Sequence, residues 1–153
     1  MQPDSFRLHL LLHSADLVER ELERRLGKYG IRPRQARILD ALERMGSSAQ
    51  SEIAREFGVS PASMSTMTAR LLSAGLISRK VDPNEIRSNA IELTNKGRTM
   101  LEQVHKVWLE IDQFIEETIG KKEAETLAEL TRSVRDKLGG KVPGLDSNLS
   151  GSA

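Results

Sequence analysis

Apolar residues recur along the chain with helical spacing before any other feature stands out. From Phe6 to about Leu26, the residues Leu11, Ala15, Val18, Leu22 and Leu26 fall on one face of a 3.6-residue period. Leu8, Leu10 and Leu12 widen that stripe until the first half of the segment is apolar nearly all round. Such a helix wants burial on two sides. A chain this short offers little to cover both, so a second subunit is the expected cover. Gly27 and Gly30 end the helix, and Pro33 suits the first turn of the next.

The pattern predicts a second helix from Pro33 to Met45 with Ala36, Leu39 and Leu42 inward, stopped by Gly46. A short helix from Gln50 to Phe57, the turn Gly58-Val59-Ser60 and a helix from Pro61 to about Ala74 follow. Leu76 to Val81 and Asn89 to Leu93 read as short strands, because Ile77, Val81, Ile91 and Leu93 alternate with polar residues. Their connection, Asp82 to Ser88, is a polar loop longer than a tight turn. Thr94 is the expected N-cap of a long helix with Leu101, Val104, Trp108, Ile111 and Ile115 on its buried stripe, closed by Gly120. A last helix from Lys122 to Leu138 carries Leu127, Leu130, Val134 and Leu138. The tail after it, rich in Gly, Ser and Pro, is expected to be disordered. The order is helix four times, strand twice, helix twice.

Composition narrows the field. The 153 residues contain no cysteine, which removes disulfide scaffolds, thiolate zinc sites and thiol chemistry. No apolar run has the length of a membrane span, and the N-terminus lacks the order of a secretory signal, so a cytoplasmic protein with no membrane association is expected. The net charge of +1 hides an asymmetry: residues 1–98 hold 16 basic and 12 acidic side chains, residues 99–153 hold 7 and 10. The front is mildly cationic and the back mildly anionic.

Ile53 to Met67 is the most specific stretch. Two helices joined by a sharp turn need a small residue where they touch (Ala54), a glycine to reverse the chain (Gly58), an apolar plug (Val59) and apolar anchors below the second helix (Met64, Met67). This is the helix-turn-helix pattern, in which the second helix enters the DNA major groove. With Met64, Met67 and Leu71 inward, the outward set is Ala62, Ser63, Ser65, Thr66, Ala69 and Arg70, small and hydroxylated enough to approach base edges. Ser60 caps the helix and, with the free amides there, forms a phosphate seat. The hairpin that follows reads as a wing, with Arg87 suited to the minor groove and Arg70, Arg79 and Lys80 to phosphates.

FGVSPASMSTMTARL (57–71) followed by LLSAGLISRKVDPNEIRSNAIELTNKG (71–97) resembles the winged helix of the MarR (multiple antibiotic resistance regulator) family. The resemblance extends over about residues 6–138 through the flanking helices. It implies a mainly α fold with a small β-hairpin wing, a winged helix-turn-helix flanked by N- and C-terminal dimerisation helices. It also implies a homodimeric transcription factor, expected to be a repressor, that reads a pseudo-palindromic operator in double-stranded DNA. The corresponding division is a dimerisation helix over 1–32, a DNA-binding domain over 33–98, dimerisation helices over 99–138 and a disordered tail over 139–153. Two departures remove positive charge. The wing has Glu85-Ile86-Arg87 where Asp-x-Arg with a further arginine is usual, and Thr66 stands where a basic residue is common.

The resemblance also implies a pocket for a small aromatic or phenolic effector, at positions corresponding to Leu12, His13, Asp16, Pro33, Arg87 and Trp108. Trp108 as core and His13 as an interface histidine is the alternative reading of those two residues. His9 and His13 stand four apart on one helix, a spacing able to chelate zinc if Asp16 or His105 completed the set, so a metal-responsive regulator is an alternative; packed histidines are the commoner case, and no metal or cofactor is expected. A winged helix used for protein–protein contact is another alternative. No phosphate-binding glycine loop or nucleophile elbow appears, and an enzyme is not expected.

Overall fold

The computed structural model describes residues 5–81 and 89–145. Among them the elements are α1 (Arg7–Gly27), α2 (Pro33–Met45), β1 (Ser48–Ala49), α3 (Gln50–Phe57), α4 (Pro61–Ser73), β2 (Ile77–Val81), β3 (Asn89–Leu93), α5 (Asn95–Ile119) and α6 (Lys121–Lys137). Every helix and both long strands lie where the periodicity places them, to within a residue or two at the ends. The addition is β1. Two residues are too short to show an alternation, yet Ser48 pairs with Ile91 and Ala49 with Ala90, giving an antiparallel sheet of order β1-β3-β2.

The core gathers under the sheet and the middle helices. Ala36, Leu39 and Leu42 are buried as expected, and so are Ile38 and Ala41, because α2 packs on α5, on α4 and on β3 at once. Ile53 and Ala54 of α3, Met64 and Leu71 of α4, Ile77 of β2, and Ile91 and Leu93 of β3 complete this layer. From α5 come Leu101, Val104 and Val107, with Trp108 half-buried beside them. Arg37 lies over the Phe57 ring, 5.6 Å from its centroid, and joins α2 to α3 outside the core.

One junction ties the end of α4 to the long helix α5. The chain leaves α4 through Gly75 and Leu76, whose carbonyls face the start of α5. The Thr94 hydroxyl donates to Gly75 O at 2.6 Å, the Thr94 amide to Leu76 O at 3.2 Å, and Lys96 Nζ to Ala74 O at 2.8 Å. Thr94 Oγ1 also accepts the Gly97 amide at 3.0 Å, the expected N-cap. Gly97 is buried and presses on the Leu76 carbonyl so closely that a Cβ there would overlap the oxygen.

Other stripes expected to be inward are not covered. In α1 only Leu26 is buried; Leu11 and Ala15 are exposed, and Val18 and Leu22 are half-buried. No residue of α6 is buried, and Leu127, Leu130, Val134 and Leu138 are all exposed. The helices form as the period dictates, but among the described residues these side chains, Leu26 apart, remain wholly or partly exposed to solvent. The tail also differs from expectation at its start. Residues 139–145 turn back onto the end of α2, with Pro143 O accepting from Arg44 Nε at 2.9 Å and Gly144 buried against Met45 and Arg44. Pro143 and Gly144 present little side chain, so backbone can lie flat on the helix end.

A charged clamp joins α1 to α5. Glu21 accepts from Arg24 and Arg25, and Arg25 reaches Glu110 at 3.4 Å and stands over Phe114, 5.5 Å from its centroid. The two guanidinium hydrogen bonds hold the Glu21 carboxyl at about 2. Its folded value lies below the ordinary 4.5, so the pairing stabilises the fold above that pH and is lost as pH falls toward 2. Acid unfolding of Glu21→Gln beside wild type should show a stability difference at neutral pH that closes across this window. A second test bears on the junction: Gly97→Ala should destabilise the fold by about 1–3 kcal/mol, read as a lower thermal midpoint.

Candidate nucleic-acid interface

Gly58 adopts the left-handed conformation, φ 61°, that lets α3 end and the chain reverse without a Cβ penalty. Its amide and that of Val59 return to carbonyls of the last turn of α3. Val59 is half-buried as the plug of the turn. Ser60 then caps α4, its Oγ accepting the Ser63 amide at 3.1 Å and donating to Ser63 Oγ at 3.0 Å.

The faces of α4 divide as the spacing requires. Met64 and Leu71 are buried and Met67 is half-buried, while Ala62, Ser63, Ser65, Thr66, Ala69 and Arg70 are exposed. Thr66 donates to Ala62 O at 3.2 Å within its own helix and keeps its oxygen free to accept. Thr68 is the polar residue the outward set omits. It is fully buried, and its hydroxyl lies 2.9 Å from Met64 O and 3.1 Å from Gln50 Oε1, tying α4 to the start of α3.

In the wing, Arg79 faces Ile91 and Lys80 faces Ala90 across the β2–β3 ladder. Strand alternation therefore sets these two exposed cations on opposite faces of the sheet, so they cannot serve one phosphate. Arg87, with Glu85 and the rest of 82–88, lies outside the described residues.

The effector positions are scattered within one chain. Leu12 and His13 are exposed on α1, and Asp16 pairs with Arg20 at 2.8 Å. Trp108 is half-buried on α5 beside the His105 ring, 5.4 Å between centroids, and His105 Nε2 meets Asp40 Oδ1 at 2.8 Å. Asp40 also pairs with Arg44. His9 packs edge-on to Phe6, and no group of three metal-ligating side chains forms among the described residues. Pro33 lines a cleft of about 430 Å³ whose other walls are Glu19 and Glu23 of α1, Arg32, Arg34 and Gln35 at the head of α2, and Ser63, Thr66, Met67 and Arg70 of α4. Arg32 and Arg34 carried no motif in the sequence. Only folding, which brings the head of α2 beside α4, reveals them.

A helix-turn-helix with a wing of antiparallel strands, carried on longer helices, defines a winged-helix protein. Residues 29–88 match the MarR family. The cysteine-to-serine mutant of E. coli MarR solved in complex with operator DNA is 24% identical, with 86% of this chain and 95% of that chain covered at a TM-score of 0.73. A probable transcriptional regulator from Pseudomonas aeruginosa is 25% identical over 87% of this chain and 99% of its own, at 0.76. An organohalide-sensing regulator, RdhR, solved with bound 2,4-dichlorophenol, is 20% identical over 90% and 82%, also at 0.76. No curated protein sequence matches the chain significantly. The chain is thus similar to MarR-family regulators over its winged helix and shares its fold with them.

Because Ser60 satisfies a free amide at the head of α4, Ser60→Ala should lower stability by about 1 kcal/mol in chemical denaturation. An unchanged midpoint would mean the cap contributes nothing.

Proposed function

We propose that this chain is a dimeric, sequence-specific DNA-binding regulator, and not an enzyme, that represses transcription until a small aromatic molecule changes its geometry. The observation that carries this reading is the exposed, hydroxylated face of α4, set on a helix whose opposite face is locked into the core. Ala62, Ser63, Ser65 and Thr66 approach bases in the major groove. Ser60, Arg70, Arg79 and Lys80 hold phosphates, and Arg87 enters the minor groove.

Dimerisation accounts for the uncovered apolar surface. Leu8, Leu11 and Leu12 of α1, Ile119 of α5 and Leu127, Leu130 and Val134 of α6 form faces that water would otherwise wet. Residues 1–32 and 99–138 are the dimerisation parts in this reading, and 33–98 the DNA-reading domain. The two α4 helices then lie about 34 Å apart on one face of the operator. The effector sits where dimer formation closes over Leu12, His13 and Asp16, with Pro33 and Trp108 as inner wall; the dichlorophenol-bound relative supports an aromatic ligand. No described helix is long and apolar enough to cross a membrane, and the reading places the protein in the cytoplasm with DNA.

The experiment is retardation of the DNA flanking the chain's own reading frame, repeated as salt is raised. Phosphate-driven binding must weaken steeply with ionic strength. A flat response or no retardation would sink the regulator reading and leave protein–protein contact as the use of the winged helix. Within the same assay, Arg87→Ala should weaken operator binding while sedimentation still reports a dimer; unaltered affinity would remove the wing arginine from the interface.

A further inference from the structure

The helix that reads DNA brings one cation of its own, Arg70. The fold supplies two more beside it. Arg32 and Arg34, at the head of α2, line the same cleft as Ser63, Thr66 and Arg70 of α4, and both are exposed. The Arg32 main-chain amide donates to Gln35 Oε1 at 3.1 Å, which fixes the backbone from which these side chains leave. Among the described residues neither guanidinium, nor that of Arg70, is engaged in an ion pair. Glu19 and Glu23, four apart on α1, form the opposite wall and are unpaired as well.

We infer that Arg32 and Arg34 are DNA-backbone contacts, forming with Arg70 a phosphate-holding edge along one side of the reading helix. This rests on the DNA-binding function proposed above. An α-helix with its side chains is about 10–12 Å across and the major groove about 12 Å wide, so a helix seated there has a phosphate strand along each flank. Ser63 and Thr66 belong to both the outward face of α4 and the cleft. A duplex that reaches them therefore runs one of its strands past the mouth of the cleft. Three guanidiniums meet it there, and guanidinium geometry matches phosphate oxygens in pairs. Glu19 and Glu23 oppose the same strand and limit its hold, so the edge is tuned rather than maximally cationic. Such contacts position the protein and do not distinguish sequences.

The test measures binding of the full-length protein to a fluorescent mixed-sequence duplex by anisotropy, from about 50 to 200 mM salt. Each lost phosphate contact flattens the dependence of log K on log salt by about 0.9, so Arg32→Gln/Arg34→Gln should bind more weakly with a slope about 2 units shallower. Glu19→Gln/Glu23→Gln should shift affinity the other way, toward tighter binding, and it serves as the second variant should the first fold poorly by thermal melting. Wild-type binding with a steep slope that neither double variant alters would overturn the inference and leave the DNA-binding reading standing. Failure of wild type itself to bind with a salt-dependent slope would overturn both.

Discussion

The hinge of this structure is the seam where α4 ends and α5 begins. A helix C-terminus leaves carbonyls without partners, and a helix N-terminus leaves amides. Here the strands between the two helices fold back so that the start of α5 lies on the end of α4. Thr94 and Lys96 then satisfy the carbonyls of Ala74, Gly75 and Leu76. The absence of a side chain at Gly97 allows that close approach. Helix α4 is thereby bonded to a 25-residue helix whose far end carries uncovered apolar surface.

Further links hold the winged helix and the helices around it together. Buried Thr68 links α4 to α3 through Gln50, while Met64 O within its own helix also lies within reach of its hydroxyl. At the other end, Glu21, Arg25 and Glu110 join α1 to α5, so the first helix follows the long one. The turned-back segment at Pro143 and Gly144 adds a contact from beyond α6 to the end of α2. The chain is thus tied across the module from both its N-terminal and C-terminal helices.

Charge is distributed by the fold rather than by the reading helix. A surface with few cations on α4 would hold DNA poorly, and the near-neutral chain looks indifferent to nucleic acid when counted as a whole. Folding gathers Arg32, Arg34 and Arg70 around one cleft and places acidic α1 residues opposite them. Arg79 and Lys80, adjacent in sequence, are separated onto two faces of the wing. Local charge at the interface follows from these placements and not from the net count.

The helices, the turn at Gly58, the cap at Ser60 and the outward face of α4 were all readable in the residues. Each is set by interactions within a few positions of the chain: a 3.6-residue period, a left-handed glycine, a hydroxyl three residues from its amide. β1 was not readable, because a two-residue strand is defined only by the partner it pairs with. That α1 needs cover from outside the chain was readable in its nearly all-round apolar first half; the periodicity of α6 states that a face is apolar and says nothing of what lies over it. The cleft beside α4 has the same origin, since it joins residues from α1, α2 and α4 that no local spacing relates. The sequence by itself determined which segments are helical and which face of each is apolar or polar, because those are short-range matters of geometry and solvation. Only the tertiary structure decided which of those faces meet, and so where the charges gather.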